Sequence, residues 1–290
     1  MFIKSGNICI KISAKEEVVN AITSSLFLFQ YIPDAKILDC CENFKAELKV
    51  VDDRLHNLKI NNDKYFLKIP DPIKRYKDVV TIVEYILEKL REKEGIYCLH
   101  GSAVSWRDKS VWLWGPISGL GKTSIAIGLC QNYGFRLIGD EKFLINNKGE
   151  FVGGIKYINY NKKSLEKSIS QNLNGKTDKE LSKLIKLENR KIKLSLIILP
   201  ISSHLANFID IEKWESSKSA FHLYEELSRK IRGVSRRIID FTTPIESFDD
   251  NNLSLARSLL ANKMAKNIPF YVIKGNPTQI QEEIVKMLKV

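Results

Sequence analysis

The chain has 290 residues, with 46 Lys and Arg against 34 Asp and Glu, for a formal net charge of +12. Hydrophobic residues make up 44% and charged residues 28%, which excludes wholesale disorder and suits one large domain or two modest ones. No apolar run approaches the roughly 20 residues of a membrane span, and the opening MFIKSGNICIKIS lacks the compact apolar core of a signal peptide. A cytoplasmic protein with no membrane partner is expected. Its five cysteines, at 9, 40, 41, 98 and 130, show no Cys-x-x-Cys spacing, and His56, His100, His204 and His222 show no metal spacing. All five thiols are expected to be reduced and structural.

Residues 1–95 read as a small α+β domain. Alternation over Ile3–Ile12 predicts a strand and Lys15–Phe29 a helix, with short strands at Lys36–Leu38, Ala46–Val51 and Tyr65–Ile69. Pro70 and Pro72 break the chain, and a helical period resumes over Tyr76–Glu92, ending near Gly95. Residues 96–290 read as a second domain of α/β texture. Strands Ala103–Trp106 and Ser110–Trp114 flank the charged turn Arg107–Lys109, followed by the helix Thr123–Asn132 and the strand Phe135–Ile138. Further on come a strand at Leu194–Leu199, helices at Ser216–Ile231 and Leu253–Lys266, a strand at Phe270–Lys274 and a terminal helix at Pro277–Leu288. Strands alternating with helices predict a largely buried sheet in a layered structure.

The strongest chemical signal is Gly115-Pro-Ile-Ser-Gly-Leu-Gly-Lys-Thr123, between an apolar strand and a helix. Glycines let backbone N–H groups turn inward around a polyphosphate, and the helix adds the positive end of its dipole. Lys122 can bridge the β- and γ-phosphates, and the Thr123 hydroxyl can ligate Mg²⁺. The strict phosphate-loop pattern wants Gly where Pro116 stands, so Gly115 lies one residue early. The core Ser118-Gly-x-Gly-Lys-Thr123 is intact and arises by chance in about one chain of this size per thousand. A second signal is Gly139-Asp140-Glu141 at a strand end about twenty residues beyond the loop. There one carboxylate can hold Mg²⁺ while the other accepts a proton from an attacking hydroxyl.

The ordered block Cys98-Leu-His-Gly-Ser-Ala-Val, Val-Trp-Leu-Trp-Gly, Ser-Gly-Leu-Gly-Lys-Thr and Gly-Phe-Arg-Leu-Ile-Gly-Asp-Glu resembles the nucleotide-binding block of the HPr kinase/phosphorylase family. The resemblance covers Cys98 to about Ile145. It implies a P-loop kinase domain of the HPr kinase/phosphoenolpyruvate carboxykinase type, ATP and Mg²⁺ as cofactors, and transfer of the γ-phosphoryl group to a serine-type hydroxyl. Residue by residue, it implies that Ser118, Gly119, Leu120, Gly121, Lys122, Thr123 and Ser124 bind nucleotide. Asp140 would be the proton acceptor, Thr123, Asp140 and Glu141 the metal contacts, and His100 would lie near the γ-phosphate or acceptor. Residues 1–95 do not match the family's N-terminal domain, and its Arg-Gly signature has no counterpart directly after the paired acids. A divergent member, acting on some other serine of a protein, peptide or small molecule, is therefore expected. Both hexamers and dimers fit its relatives, so the chain admits a homo-oligomer.

Residues 161–193 carry a net charge of +6 and Arg229–Arg237 a net of +5, nearly the whole surplus. Arginine's fork favours bidentate phosphate or carboxylate contact, which makes Arg232 a candidate contact to nucleotide or acceptor. Nucleic acid is a secondary partner reading, without a recognition motif or aromatic residues within those runs. Beside the hydroxyl kinase stand two alternatives, a nucleotide-binding regulatory ATPase module and a polynucleotide hydroxyl kinase.

Overall fold

A computed structural model describes residues 1–156, 185–232 and 247–289. Among the described residues the protein is mixed α/β, with three sheets and seven helices. It divides into two compact units, Met1–Tyr97 with Ser228–Leu255, and Cys98–Leu227 with Ala256–Val290. A single division near residue 95 has no place for the return of Ser228–Leu255 to the first unit. Most of the basic run 161–193 lies outside the described residues, as do 233–237 of the second.

The first unit is a six-stranded sheet, β3-β1-β2-β4-β6-β5, packed on helix α3. The stretch expected as one strand is a hairpin, β1 (Phe2–Ser5) and β2 (Ile8–Ser13), because Gly6 takes a left-handed φ of 60° and turns the chain. The expected helix Lys15–Phe29 is two, α1 (Glu16–Thr23) and α2 (Phe27–Tyr31), divided at Ser24 and Ser25, whose hydroxyls bond nearby backbone instead. Strands β3 (Lys36–Leu38), β4 (Ala46–Asp52), β5 (Asn57–Asn61) and β6 (Lys64–Ile69) complete the sheet, with β2, β4 and β6 parallel. Ile3, Ile10, Ile12, Leu48, Leu67 and Ile69 fill one side of it, against Val79, Ile82, Val83 and Ile86 of α3 (Tyr76–Lys93). Helix α3 also buries charge. Arg91 is fully enclosed and donates to Glu84 at 3.0 Å, Glu88 at 2.7 Å and Ser5 Oγ at 2.6 Å. Lys230, from the second basic run, is buried too, 3.3 Å from Glu84. Part of that run is thus internal structure in this unit, not surface charge.

Strand β7 (Ile96–His100) leads into the second unit and pairs in a small sheet, β12-β11-β7, with β11 (Lys142–Asn146) and β12 (Phe151–Gly154). The main sheet has the order β10-β8-β9-β13-β15-β14, from β8 (Ser102–Trp106), β9 (Lys109–Leu113), β10 (Arg136–Gly139), β13 (Leu196–Ser202), β14 (Asp210–Lys213) and β15 (Phe270–Gly275). β9, β13 and β15 are parallel, and β10 runs the same way because it is antiparallel to β8, itself antiparallel to β9. Four carboxyl ends therefore collect along one edge. Val111, Leu113 and Ile198 face α4 (Lys122–Tyr133) and α7 (Pro277–Lys289) across a closed apolar layer. Helices α5 (Ser216–Ser228) and α6 (Asn251–Asn267) complete the described elements. α5 ends three residues before the expected Ile231, and β13 extends to Ser202.

Helix α4 is held against α7 at Gly128, where a methyl group would overlap the side-chain amide of Gln281. That amide is buried and accepts from Asn132 Nδ2 at 3.3 Å, so it cannot swing aside without losing that bond. Alanine gains about 1 kcal/mol in helix propensity over glycine, whereas overpacking a closed contact costs about 1–3 kcal/mol. Gly128→Ala should therefore lower the melting temperature, and adding Gln281→Ala should recover much of the loss. A rise in Tm for Gly128→Ala alone would contradict this packing.

Candidate active site

The loop Gly115–Gly121 leaves β9 at the edge where the four strand ends collect, the place where open α/β sheets bind ligands. It is anchored at both ends. Trp114 N–H donates to Ile198 O at 2.8 Å, and Leu120 O accepts from Ser202 N–H at 3.3 Å, both on β13. Gly121 has a φ of +90° and lies so near β13 that a Cβ would meet the Ser202 Cβ at 2.7 Å. Two independent constraints thus require glycine immediately before the helix. Pro116, Ile117, Ser118 and Gly119 are exposed, and a methyl at Gly119 would meet nothing. The loop is open to solvent where a ligand would approach.

Helix α4 begins at Lys122, whose side chain lies back along the loop and donates to Ile117 O at 2.7 Å. Thr123, one residue on, donates through Oγ1 to Asp140 Oδ1 at 3.0 Å. Ser102, the first residue of β8, donates a very short hydrogen bond to the same carboxylate oxygen. Asp140 is only 2% exposed. Its backbone is pinned as well, donating to Ile155 O at 3.0 Å and accepting from Lys142 N–H at 2.8 Å. Burial pushes its carboxyl up to about 6; the Ser102 hydrogen bond opposes the rise, the Glu141 charge adds to it, and Thr123 opposes it.

Glu141 turns the other way. It takes a left-handed φ of 66° between β10 and β11, a conformation strained for a residue with a Cβ, and its side chain is about half exposed. His100 Nε2 donates to Glu141 Oε2 at 3.1 Å, which holds that carboxyl below its ordinary value. The other ring nitrogen, Nδ1, is buried with no hydrogen-bond partner among the described residues. Two adjacent carboxylates thus have opposite environments, one enclosed and raised, one exposed and lowered.

Residues without an assigned role in the sequence hold this arrangement. Gly101 has a φ of +138° and no room for a Cβ beside Leu113 O and the Trp112 indole, whose Nε1 donates to His100 O at 3.0 Å. Glu226 on α5 accepts from His100 N–H and from Trp114 Nε1, both at 3.1 Å. One buried carboxylate therefore fixes the end of β7 and the start of the loop. Ser102 could have been found from its place after His-Gly; Glu226 looks like any other helix acid.

The structure thus brings together His100, Ser118, Gly119, Leu120, Gly121, Lys122, Thr123, Ser124, Asp140 and Glu141 in the second unit. Arg232 belongs to the first unit, with Nε 3.8 Å from Asp249 Oδ2. All five cysteines are free thiols, and none of the described helices is long and apolar enough to cross a membrane. Neither a scan against models of known protein families nor a search of curated proteins returns a match.

Because the folded value of Asp140 lies above the ordinary aspartate value, its ionisation costs stability. That cost is absent below about pH 4, grows as pH rises toward 6 and is complete above it. Asp140→Asn keeps an acceptor for both hydroxyls without the charge. In metal-free buffer at pH 7.5 it should raise stability by on the order of 2–3 kcal/mol, with the gain in Tm vanishing toward pH 4. A Tm that falls at pH 7.5 would mean that the two hydrogen bonds to the charged form outweigh its burial.

Proposed function

We propose that this chain is an ATP- and Mg²⁺-dependent kinase of the P-loop, HPr kinase-like type, transferring the γ-phosphoryl group to a serine-type hydroxyl of a protein, peptide or small molecule in the cytoplasm. The observation that carries the reading is the buried Asp140 carboxylate, joined to the hydroxyl of Thr123 in the first turn of the loop helix. Phosphoryl transfer needs a phosphate cradle and a proton acceptor within one site, and this edge of the sheet supplies both kinds of group. The second unit is the kinase domain in this reading, and the first serves substrate recognition or self-association.

The donor set suits magnesium. Thr123, Asp140 and Glu141 offer hard oxygens, with no sulfur or imidazole needed. When bound, Mg²⁺ would neutralise charge on the transferred group. The loop amides and the start of α4 would hold the polyphosphate, and the Lys122 ammonium would exchange the Ile117 carbonyl for a phosphate oxygen. The acceptor oxygen forms its bond to the γ-phosphorus as the bond to the β-phosphate bridge breaks, releasing ADP. The hydroxyl proton passes to Asp140, whose value near 6 leaves it mostly ionised at neutral pH yet basic enough to accept. His100 and Glu141, paired at 3.1 Å, flank the acceptor side of the site.

Incubation with γ-labelled ATP and Mg²⁺ over lysate fractions, with mass identification of the product, should give a phosphorylated hydroxyl. Lys122→Ala and Asp140→Asn should each lower transfer by about 10³-fold or more, with folding intact by circular dichroism. Label recovered only as free phosphate would point to a regulatory ATPase module. Full turnover by Asp140→Asn would remove Asp140 as proton acceptor.

A further inference from the structure

Residues 1–95 hold 16 basic and 15 acidic side chains, an almost neutral composition. The sheet of the first unit nevertheless separates them. Alternate residues face the core, and the strand registers place Lys4, Lys11, Lys36, Lys49, Lys59, Lys64 and Lys68 together on the opposite face. Glu47 is the one acidic strand residue on that face before β4 reaches its end. At the β1–β2 end, Phe44 lies against Phe2 at 5.7 Å and under Lys11 at 5.9 Å. At the β4–β6–β5 end, Lys49, Lys59, Lys64 and Phe66 are exposed.

That end has a defined pattern. Phe66, 39% exposed, stands at the middle of β6. Lys49 on β4 and Lys59 on β5 are its register partners on either side, and Lys64 and Lys68 lie two residues before and after it on its own strand. Neighbouring strands are about 4.8 Å apart and alternate residues on one strand about 6.7 Å apart. A phenyl ring therefore sits at the crossing of two lysine pairs. Lys68 is paired with Asp53 at 2.7 Å and Lys64 is the register partner of Glu47, whose carboxyl it helps to hold down, whereas Lys49 and Lys59 are exposed and make no ion pair among the described residues.

We propose that this face binds a single-stranded nucleic acid, with a base stacked on Phe66 and the flanking phosphates on Lys49, Lys59 and Lys64. Such strands are held by a cationic surface that follows the backbone together with aromatic rings that take bases of any sequence. An acidic peptide or protein would satisfy the ammonium groups but has no use for an exposed ring at their centre. This surface belongs to the first unit and the phosphate loop to the second, and the proposal does not depend on phosphoryl transfer.

The test uses the full chain and fluorescein-labelled oligo(dT) and oligo(U) of about 12 nucleotides, with anisotropy read between 50 and 200 mM salt. Phe66→Ala should weaken binding about tenfold with the salt slope unchanged. Lys59→Gln should weaken it and flatten the slope by about 0.7. Both side chains are exposed, so the variants should melt with the parent protein. Inorganic polyphosphate and poly-glutamate should compete poorly at equal charge. Equal competition by either would show a general polyanion or acidic-protein surface and overturn the proposal. So would affinity unchanged by Phe66→Ala, or binding that survives Lys49→Glu with Lys59→Glu.

Discussion

The candidate site is organised around one carboxylate held away from water. Asp140 is enclosed by the end of β10, the start of β8 and the head of α4, and it keeps its place through hydroxyl donors from Ser102 and Thr123. An isolated buried carboxylate would simply protonate; these donors keep its value near 6 instead of higher. The neighbouring features serve the same end. Gly101 lets β7 pass beside Trp112, Gly121 lets the loop meet β13, and the turn at Glu141 sends the second carboxylate outward. The result is a pair of acids of unlike basicity beside an open glycine loop.

Buried charge recurs as a design of this chain. Glu226 joins the end of β7 to the start of the loop, and Arg91 joins Glu84, Glu88 and Ser5 inside the first unit. Breaking one partner of such a group leaves the other without compensation, at a cost of several kcal/mol. These groups specify geometry more than they add stability. In the second unit that geometry is the relation between His100, the loop and Asp140; in the first it is the seating of α3 against the hairpin of β1 and β2.

Charge on the outside follows the pleat. The linear sequence places nearly all of the +12 in two later runs, while residues 1–95 are balanced. Folding collects lysines from six strands on one face, and it draws Lys230, from one of the basic runs, into the interior. Net charge by segment therefore misjudges both surfaces. A period of two is enough to sort neighbouring residues, but only strand pairing adds the sorted rows into a patch.

Features set by short-range rules were legible before folding. The order strand, glycine loop, helix and then a strand ending in paired acids needs only local periodicity and backbone freedom, and the helix of Tyr76–Glu92 announces itself by its apolar period. Short or polar strands were not legible: β5, with Asn57, Lys59 and Asn61, and β14, with Asp210 and Glu212, gain their extended form from a neighbour. The Gly6 turn inside an alternating run was hidden by that alternation. By itself the sequence determined that a glycine-rich loop lies between a strand and a helix, and where its two acids stand. Only the tertiary structure decided that Asp140 would be buried and Glu141 exposed, that Glu226 would reach His100 across more than a hundred residues, and that Ser228–Leu255 would rejoin the first unit. Those outcomes depend on which distant surfaces exclude water from each other, and no local pattern encodes that.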